Sequence, residues 1–309
     1  MELKATRDGY GKGLLEAGKD KRVVALDADL SESTRSSKFA EKYPARFFEI
    51  GISEQDMIGT AAGLAASGKI PFASSFACFI TNRPLGQIRL MAAISNLNVR
   101  VVGSHSGLLT GEDGASHQAL EDISVMRTLP NMAVIQPADA VEAEKAVHAL
   151  VKHNGPAYLR LGRGKVPIIH DNNYKFKIGK GELLRNGKDV TIIATGALVH
   201  EALKAADELE KQKINARVIN MHTIKPIDKN IIIKAAKETG CIVTAEDHNI
   251  IGGLGSAVSE VLVENIPIPL ERMGVKDKFG ESGKPGELYR KFGLTKENII
   301  KVAKNLIKK

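Results

Sequence analysis

The amino-acid sequence predicts an α/β protein of two three-layer domains, and three observations carry that prediction. The chain has 309 residues, about twice the length of a common single domain. Short runs rich in Val, Ile and Ala alternate with stretches of helical spacing, as in parallel sheets covered by helices. Between Gly162 and Asp189 the alternation lapses into Gly, Pro, Asn and Lys, as a crossover between domains does. The expected division is a first domain over residues 1–168, a linker over 169–188 and a second domain over 189–309.

In the first domain the apolar runs Arg22 to Asp27, Arg46 to Glu49, Ile70 to Ala73, Val99 to Gly103, Ala133 to Ile135 and Ala157 to Arg160 read as strands. Helical spacing marks Ala5 to Ala17, Glu54 to Ser67, Thr81 to Ile94, Leu120 to Thr128 and Asp139 to Lys152. The second domain repeats the alternation. Its strands are expected at Val190 to Thr195, Ala216 to Asn220, Cys241 to Glu246 and Ile268 to Arg272, with helices at Ala197 to Lys211, Asp228 to Lys237, Gly253 to Val263 and Thr295 to Lys308.

Composition narrows the function classes. Apolar residues are 43% and charged residues 26%, as in ordinary globular proteins. The net charge of +8 comes from lysines spread along the whole chain, and aromatics are only 5% with no Trp. Basic patches interleaved with stacking aromatics are missing, so the charge reads as solvated surface, nucleic acid is not expected, and a small phosphorylated metabolite would suit the charge as well as nucleic acid would. Cys78 and Cys241 stand far apart in apolar surroundings and form neither a disulfide framework nor a metal motif. A polar start and the lack of a long apolar run point to a cytoplasmic protein without a membrane partner.

Several familiar motifs fail. The Gly-Lys pairs lack the hydroxyl residue that completes a P-loop. Gly253-Leu254-Gly255 lacks the third glycine of a dinucleotide fingerprint and reads as a tight turn into a helix. No histidine pair has metal-ligand spacing, so no metal ligands are expected from this chain.

Three segments carry chemistry. In Gly51-Ile52-Ser53-Glu54-Gln55-Asp56, Ser53 stands at an N-cap position, Glu54 in the first turn and Asp56 at the capping-box position. The Gly- and Ala-rich helix that follows suits either tight packing or a subunit interface. Phe76 and Phe79 sit three apart in a loop of small residues, ahead of a helix containing Arg83 and Arg89. The segment from Gly103 to Gln118 is crowded with titratable and small side chains after a strand, where α/β proteins place ligands.

Taken together with Ala5-Thr6-Arg7, Asp27-Ala28-Asp29-Leu30 and Gly111-Glu112-Asp113-Gly114, these segments make the chain resemble the transketolase family. The resemblance is to the carboxyl-terminal subunit of split transketolases, with a pyrimidine-binding domain and a C-terminal domain. It implies thiamine diphosphate as cofactor and transfer of a two-carbon ketol group between sugar phosphates in the pentose phosphate pathway. The residue matching Glu54 holds a proton against the cofactor's aminopyrimidine, which calls for burial that opposes the helix dipole. Phe76 and Phe79 match aromatics that pack on the pyrimidine, and Asn82 stands where one branch of the family has a third.

His105 and His117 match histidines that donate hydrogen bonds or protons to the donor ketose, and Asp113 matches the carboxylate that reads its C2 hydroxyl. Arg7, Ser33 and Arg163 match positions that hold the distal phosphate. The resemblance also implies Mg²⁺ and a diphosphate site on an N-terminal subunit, because this chain has no Gly-Asp-Gly. Two copies of each subunit are then expected in an α2β2 assembly, inactive without the partner. The rival readings are the beta subunit of a 2-oxo acid dehydrogenase and a noncatalytic subunit that kept the fold. The Ser104-His105 loop with Asp113 and His117 favours sugar chemistry over the first, and retention of Glu54 and the histidines disfavours the second.

Overall fold

A computed structural model describes residues 2–308. In chain order its strands are β1 (Leu3–Ala5), β2 (Val23–Asp27), β3 (Phe47–Glu49), β4 (Ile70–Phe76), β5 (Arg100–Ser104), β6 (Ala133–Ile135), β7 (Ala157–Arg160) and β8 (Lys165–Pro167). Then follow β9 (Glu182–Arg185), β10 (Val190–Ala194), β11 (Ala216–Asn220), β12 (Thr223–Lys225), β13 (Ile242–Asn249) and β14 (Leu270–Val275). The first large sheet has the order β12-β6-β7-β5-β4-β2-β3, and the second β14-β13-β10-β11-β9. Both are parallel except at one edge, where β12 and β9 run antiparallel to their neighbours. Strands β1 and β8 form a separate antiparallel ribbon.

The α/β expectation follows through to packing. Alternate residues of β2 face opposite sides of the sheet. Val23 and Ala25 join Tyr10, Leu14 and Val147 of the helices Thr6–Ala17 and Ala140–Lys152, whereas Val24 and Leu26 join Met57, Ile58 and Ile123 of the helices Glu54–Ala66 and Asp122–Thr128. Each face is therefore a separate apolar layer. The second sheet is covered in the same way.

Three differences from the sequence reading have local causes. The single helix expected from Thr81 to Ile94 is broken into Ala77–Asn82, Leu85–Gln87 and a π-helical turn over Ile88–Ile94, because Pro84 has no N–H to continue the ladder. Strand β4 continues to Phe76, so this phenylalanine ends a strand instead of lying in a loop. Within residues 169–188, Glu182–Arg185 forms β9 on the edge of the second sheet, and β12 from beyond that segment pairs with β6 of the first. The Gly253 turn behaves as expected: Glu246 accepts the amides of Leu254 at 2.6 Å and Gly255 at 2.8 Å, so the protein's own carboxylate fills the helix N-terminus.

A buried polar cluster ties the two units together. Asp139 caps the helix Ala140–Lys152 by accepting from Glu142 N, and accepts from His170 Nδ1 at 2.8 Å. His170 Nε2 reaches Glu182 Oε2 at 2.8 Å, while Glu142 accepts from Tyr174 Oη at 2.7 Å and Asn220 Nδ2 at 2.9 Å. Burial alone would lower the His170 pKa, but the carboxylates of Asp139 and Glu182 outweigh it and push it up to about 10.

Stability held by this imidazolium is complete below the unfolded pKa of 6.5 and is lost as pH rises through about 10. Below pH 6.5, urea denaturation of His170→Gln should show a loss of about 3 kcal/mol. The gap to the unsubstituted protein should close progressively up to pH 10; a gap that is constant over this range would exclude the charged clasp.

Candidate active site

The chemistry-bearing residues gather at the carboxyl ends of β2, β4 and β5. Strand β2 lies between β3 on one side and β4 on the other, so the chain reverses its direction of sheet growth there. Crevices at such a reversal are where open α/β sheets bind ligands. Asp27, at the end of β2, accepts from Leu30 N at 2.7 Å, Thr34 Oγ1 at 2.6 Å and Ser36 Oγ at 2.8 Å. Burial raises its pKa to about 6 against the pull of these donors. The loop so folded offers the Ser33 carbonyl to Arg7 Nη1 at 2.8 Å; the backbone of Ser33, not its hydroxyl, makes this contact.

Glu54 opens the helix Glu54–Ala66 and is only 3% exposed. Ser53 occupies the N-cap position but its side chain makes no capping bond, which corrects the expected cap: the side chain that marks this helix start is Glu54, turned inward. Glu54 Oε1 accepts from Arg83 Nη1 at 2.7 Å and from Ser75 Oγ at 3.4 Å. The same guanidinium lies over the Phe79 ring, 3.9 Å from its centroid. Phe76 and Phe79 stack with centroids 5.7 Å apart. Asn82, in the place of a third aromatic, donates to Glu121 Oε1 at 3.0 Å.

His105 follows β5, is 3% exposed and has a positive φ of 57°. Left-handed backbone of this kind is uncommon outside glycine and recurs at functional sites. Its ring stacks on Phe76 with centroids 3.8 Å apart, between Ser104 Oγ at 2.9 Å on Nδ1 and Arg7 Nη1 at 3.3 Å on Nε2. A guanidinium can only donate, so Nε2 accepts and the ring proton sits on Nδ1. Burial, reinforced by the charges of Arg7 and Arg163, lowers the His105 pKa to about 3. The lowered pKa and the Arg7 contact make Nε2 of His105 the acceptor in this arrangement.

His117 sets its ring edge against Phe76 and Phe79, at centroid distances of 5.9 and 5.2 Å, and its Nδ1 lies 2.9 Å from Ser116 Oγ. Asp113 lies on the exposed part of the loop with Oδ1 3.3 Å from Arg163 Nη1, which also donates to the Thr110 carbonyl at 2.7 Å. The structure thus brings Glu54, Phe76, Phe79, His105 and His117 to one aromatic-lined seat. Arg7 and Ser33 stand beside His105, and Arg163 with Asp113 forms its outer edge.

Two charged residues escaped the sequence reading. Arg35 adds its charge to those of Arg7 and Arg163 around His105 and pairs with Asp8 at 2.8 Å; its adjacency to Ser33 and Thr34 was the available signal. Asp247, from the second sheet, accepts the amide of Leu108 at 2.9 Å, and nothing local in its sequence marks that role. Among the described residues, the group close enough to share a metal is Glu142, His170 and Glu182, the hydrogen-bonded cluster between the sheets, and not the seat around Glu54.

Residues 3–168 match the pyrimidine-binding domain of transketolase, and residues 179–299 match the transketolase C-terminal domain. The chain is 47% identical over 298 residues to a 6-deoxy-6-sulfo-D-fructose transketolase subunit of Clostridium sp. (strain MSTE9), covering 96% of this chain and 92% of that one. It is 48% identical over 302 residues to a putative transketolase C-terminal section of Methanocaldococcus jannaschii, covering 96% and 95%. A solved structure described as a split gene transketolase, inactive beta4 tetramer, superposes with a TM-score of 0.93 at 47% identity, over 98% of both chains.

The neutral state of His105 is measurable. Ring resonances of His105 should not titrate between pH 5 and 9, and Arg7→Met should move the titration upward while burial keeps it below 6.5. Titration of His105 near 6.5 in the unsubstituted protein would contradict the buried, cation-flanked ring.

Proposed function

Because the chain belongs to the transketolase family and is built as its carboxyl-terminal subunit, we propose that it is half of a thiamine diphosphate-dependent enzyme that moves a two-carbon ketol group from a ketose phosphate to an aldose phosphate. One observation carries this reading. The Arg83 guanidinium, a flat N–H donor, is hydrogen-bonded to buried Glu54 and stacked on Phe79. An aminopyrimidine protonated on a ring nitrogen is likewise a flat N–H donor, so the seat fits the cofactor's ring once Arg83 withdraws. The cofactor when bound supplies a nucleophilic carbon and an electron sink for the ketol unit.

The chain's own residues then divide the work. Glu54 holds a proton at one pyrimidine nitrogen, in a site whose burial strengthens that bond. Phe76 and Phe79 exclude water and orient the ring. His117 stands at the rim of the seat as the donor to substrate oxygens. Neutral His105 accepts and relays a hydrogen bond, and Asp113 accepts from a sugar hydroxyl. Arg7 and Arg163, assisted by Arg35 and the carbonyl of Ser33, form a cationic end for the sugar's terminal anion.

We assign diphosphate and Mg²⁺ to a separate N-terminal subunit because this chain has no Gly-Asp-Gly of the kind that marks their domain in the family. Near the helix Glu54–Ala66, Ile52, Leu90, Met91 and Ile94 are exposed, and Gly63 has open space above it, which supports coverage by other chains in an α2β2 assembly. A sugar sulfonate is the second reading, favoured by the 47% identity to the sulfofructose transketolase subunit. A sulfonate offers the same tetrahedral oxygens to the arginines. Among the described residues no helix is long and apolar enough to cross a membrane.

Assay of the two-chain complex purified from its own cells, with thiamine diphosphate and Mg²⁺, tests the reading against both fructose 6-phosphate and 6-deoxy-6-sulfofructose. Glu54→Gln should lower turnover by roughly 100-fold or more with assembly intact. Full activity in that variant would sink the assignment. Arg83→Ala should retain ketol transfer and bind thiamine diphosphate several-fold more tightly, as followed by quenching of protein fluorescence; weaker binding would mean that Arg83 holds the cofactor instead of its place.

A further inference from the structure

We infer that the second domain shapes the substrate end of the site, and that Asp247 is the positioning residue through which it does so. The inference rests on the ketol-transfer reading given above. The loop from His105 to Gln118, which carries His105, Asp113 and His117, belongs by sequence to the first domain. Its conformation is nonetheless held from the second.

Asp247, on β13, is 3% exposed and turns its carboxylate into the start of this loop. Oδ1 accepts from Leu108 N at 2.9 Å, and Oδ2 accepts from Leu109 N at 3.4 Å and from Tyr289 Oη at 3.0 Å. Gly107 has a φ of 72°, and a Cβ there would overlap the Asp247 carboxylate, so the backbone turn and the close approach both require glycine. The Leu108 side chain is fully buried in the apolar cluster of the second sheet, beside Ala245, Val275 and Leu288. At the far end, Gln118 Nε2 bridges the carbonyls of Gly111 at 2.9 Å and Glu281 at 3.0 Å.

These contacts come from different elements of the second domain, bracket Asp113 and His117, and begin just after His105. The first hydrogen bond, at Leu108, lies three residues after His105, whose own carbonyl accepts from Thr110 Oγ1 at 2.8 Å. A carboxylate is needed because both of its oxygens must accept. An amide at this position turns an NH₂ toward the backbone N–H of Leu108 or Leu109, neither of which can accept. By contrast, the cofactor seat of Glu54, Phe76 and Phe79 is built entirely on the first domain. Loosening the loop therefore frees His105 and His117 from the Phe76 and Phe79 rings, while Glu54 and its helix stay held by the first domain.

The test uses the complex of this chain with its partner, carrying Asp247→Asn or the milder Tyr289→Phe, which keeps the ring and removes only the hydroxyl. Hydrogen exchange should quicken in residues 105–118 and stay unchanged in residues 54–79. Donor KM should rise at least fivefold, while the affinity for thiamine diphosphate changes by less than twofold. Unchanged exchange at 105–118 would overturn the anchor, and faster exchange with an unchanged donor KM would overturn the positioning role. A parallel loss of cofactor affinity would show a general structural defect and overturn the inference too. Absence of ketol transfer in the unsubstituted complex would sink the functional reading, whereas the exchange result would still decide the anchor.

Discussion

A buried ion pair inside the first unit aims the guanidinium that reaches the second. Arg160, at the end of β7, meets Asp122 through Nε–Oδ2 at 2.7 Å and Nη2–Oδ1 at 3.1 Å, and both side chains are essentially inaccessible. Tyr158 Oη gives Asp122 a third bond at 2.5 Å. Burial alone would raise the Asp122 pKa, but the guanidinium outweighs it and holds the carboxyl below its ordinary value. Arg160 Nη2 also donates to the carbonyls of Ala119 at 3.0 Å and Asp247 at 3.1 Å. One side chain thereby joins β7, the helix Asp122–Thr128, the end of the substrate loop and β13. Loss of either partner leaves a buried charge uncompensated, a penalty of about 3–5 kcal/mol.

The geometry around this pair explains why the loop after β5 keeps its form with only a kinked 3₁₀ segment, Leu108–Asp113, of regular structure. Its first residues are fastened to the first sheet, with Ser106 N donating to Leu161 O at 3.1 Å. Leu108 and Leu109, which come next, are fastened to Asp247, and Ala119 at its end to Arg160. Buried carboxylates and guanidinium groups are costly to desolvate, yet they point in defined directions, which apolar contacts do not. The polar residues of the junction give an irregular segment its register, and the apolar layers supply most of the driving force.

The same physics produces opposite outcomes at two histidines. His105 and His170 are both nearly inaccessible, and burial disfavours the charged ring in each. His105 is surrounded by arginines and stays neutral, whereas His170 lies between carboxylates and stays charged. Burial sets the penalty and the sign of the neighbouring charge decides the protonation state. Neighbours distant in the chain thus separate a site histidine from a structural one.

Local pattern was sufficient for the α/β class, for strands such as Ala133–Ile135, Ala157–Arg160 and Ala216–Asn220, and for the turn at Gly253, because period and turn chemistry are properties of neighbouring residues. The arrangement of Gly51-Ile52-Ser53-Glu54-Gln55, Phe76 with Phe79 and the Ser104-His105 loop was legible for a similar reason: each motif is contiguous, and only its combination is specific. Pro84 announced a helix break that the spacing of the apolar residues concealed. What the sequence determined alone was therefore the set of elements and the residues offered to the site. The tertiary structure decided the pairing of Arg83 with Glu54, the neutrality of His105 and the hold of Asp247 on Leu108, across 139 positions of chain. Desolvation and charge pairing depend on which groups meet in space, and no local pattern of residues encodes that meeting.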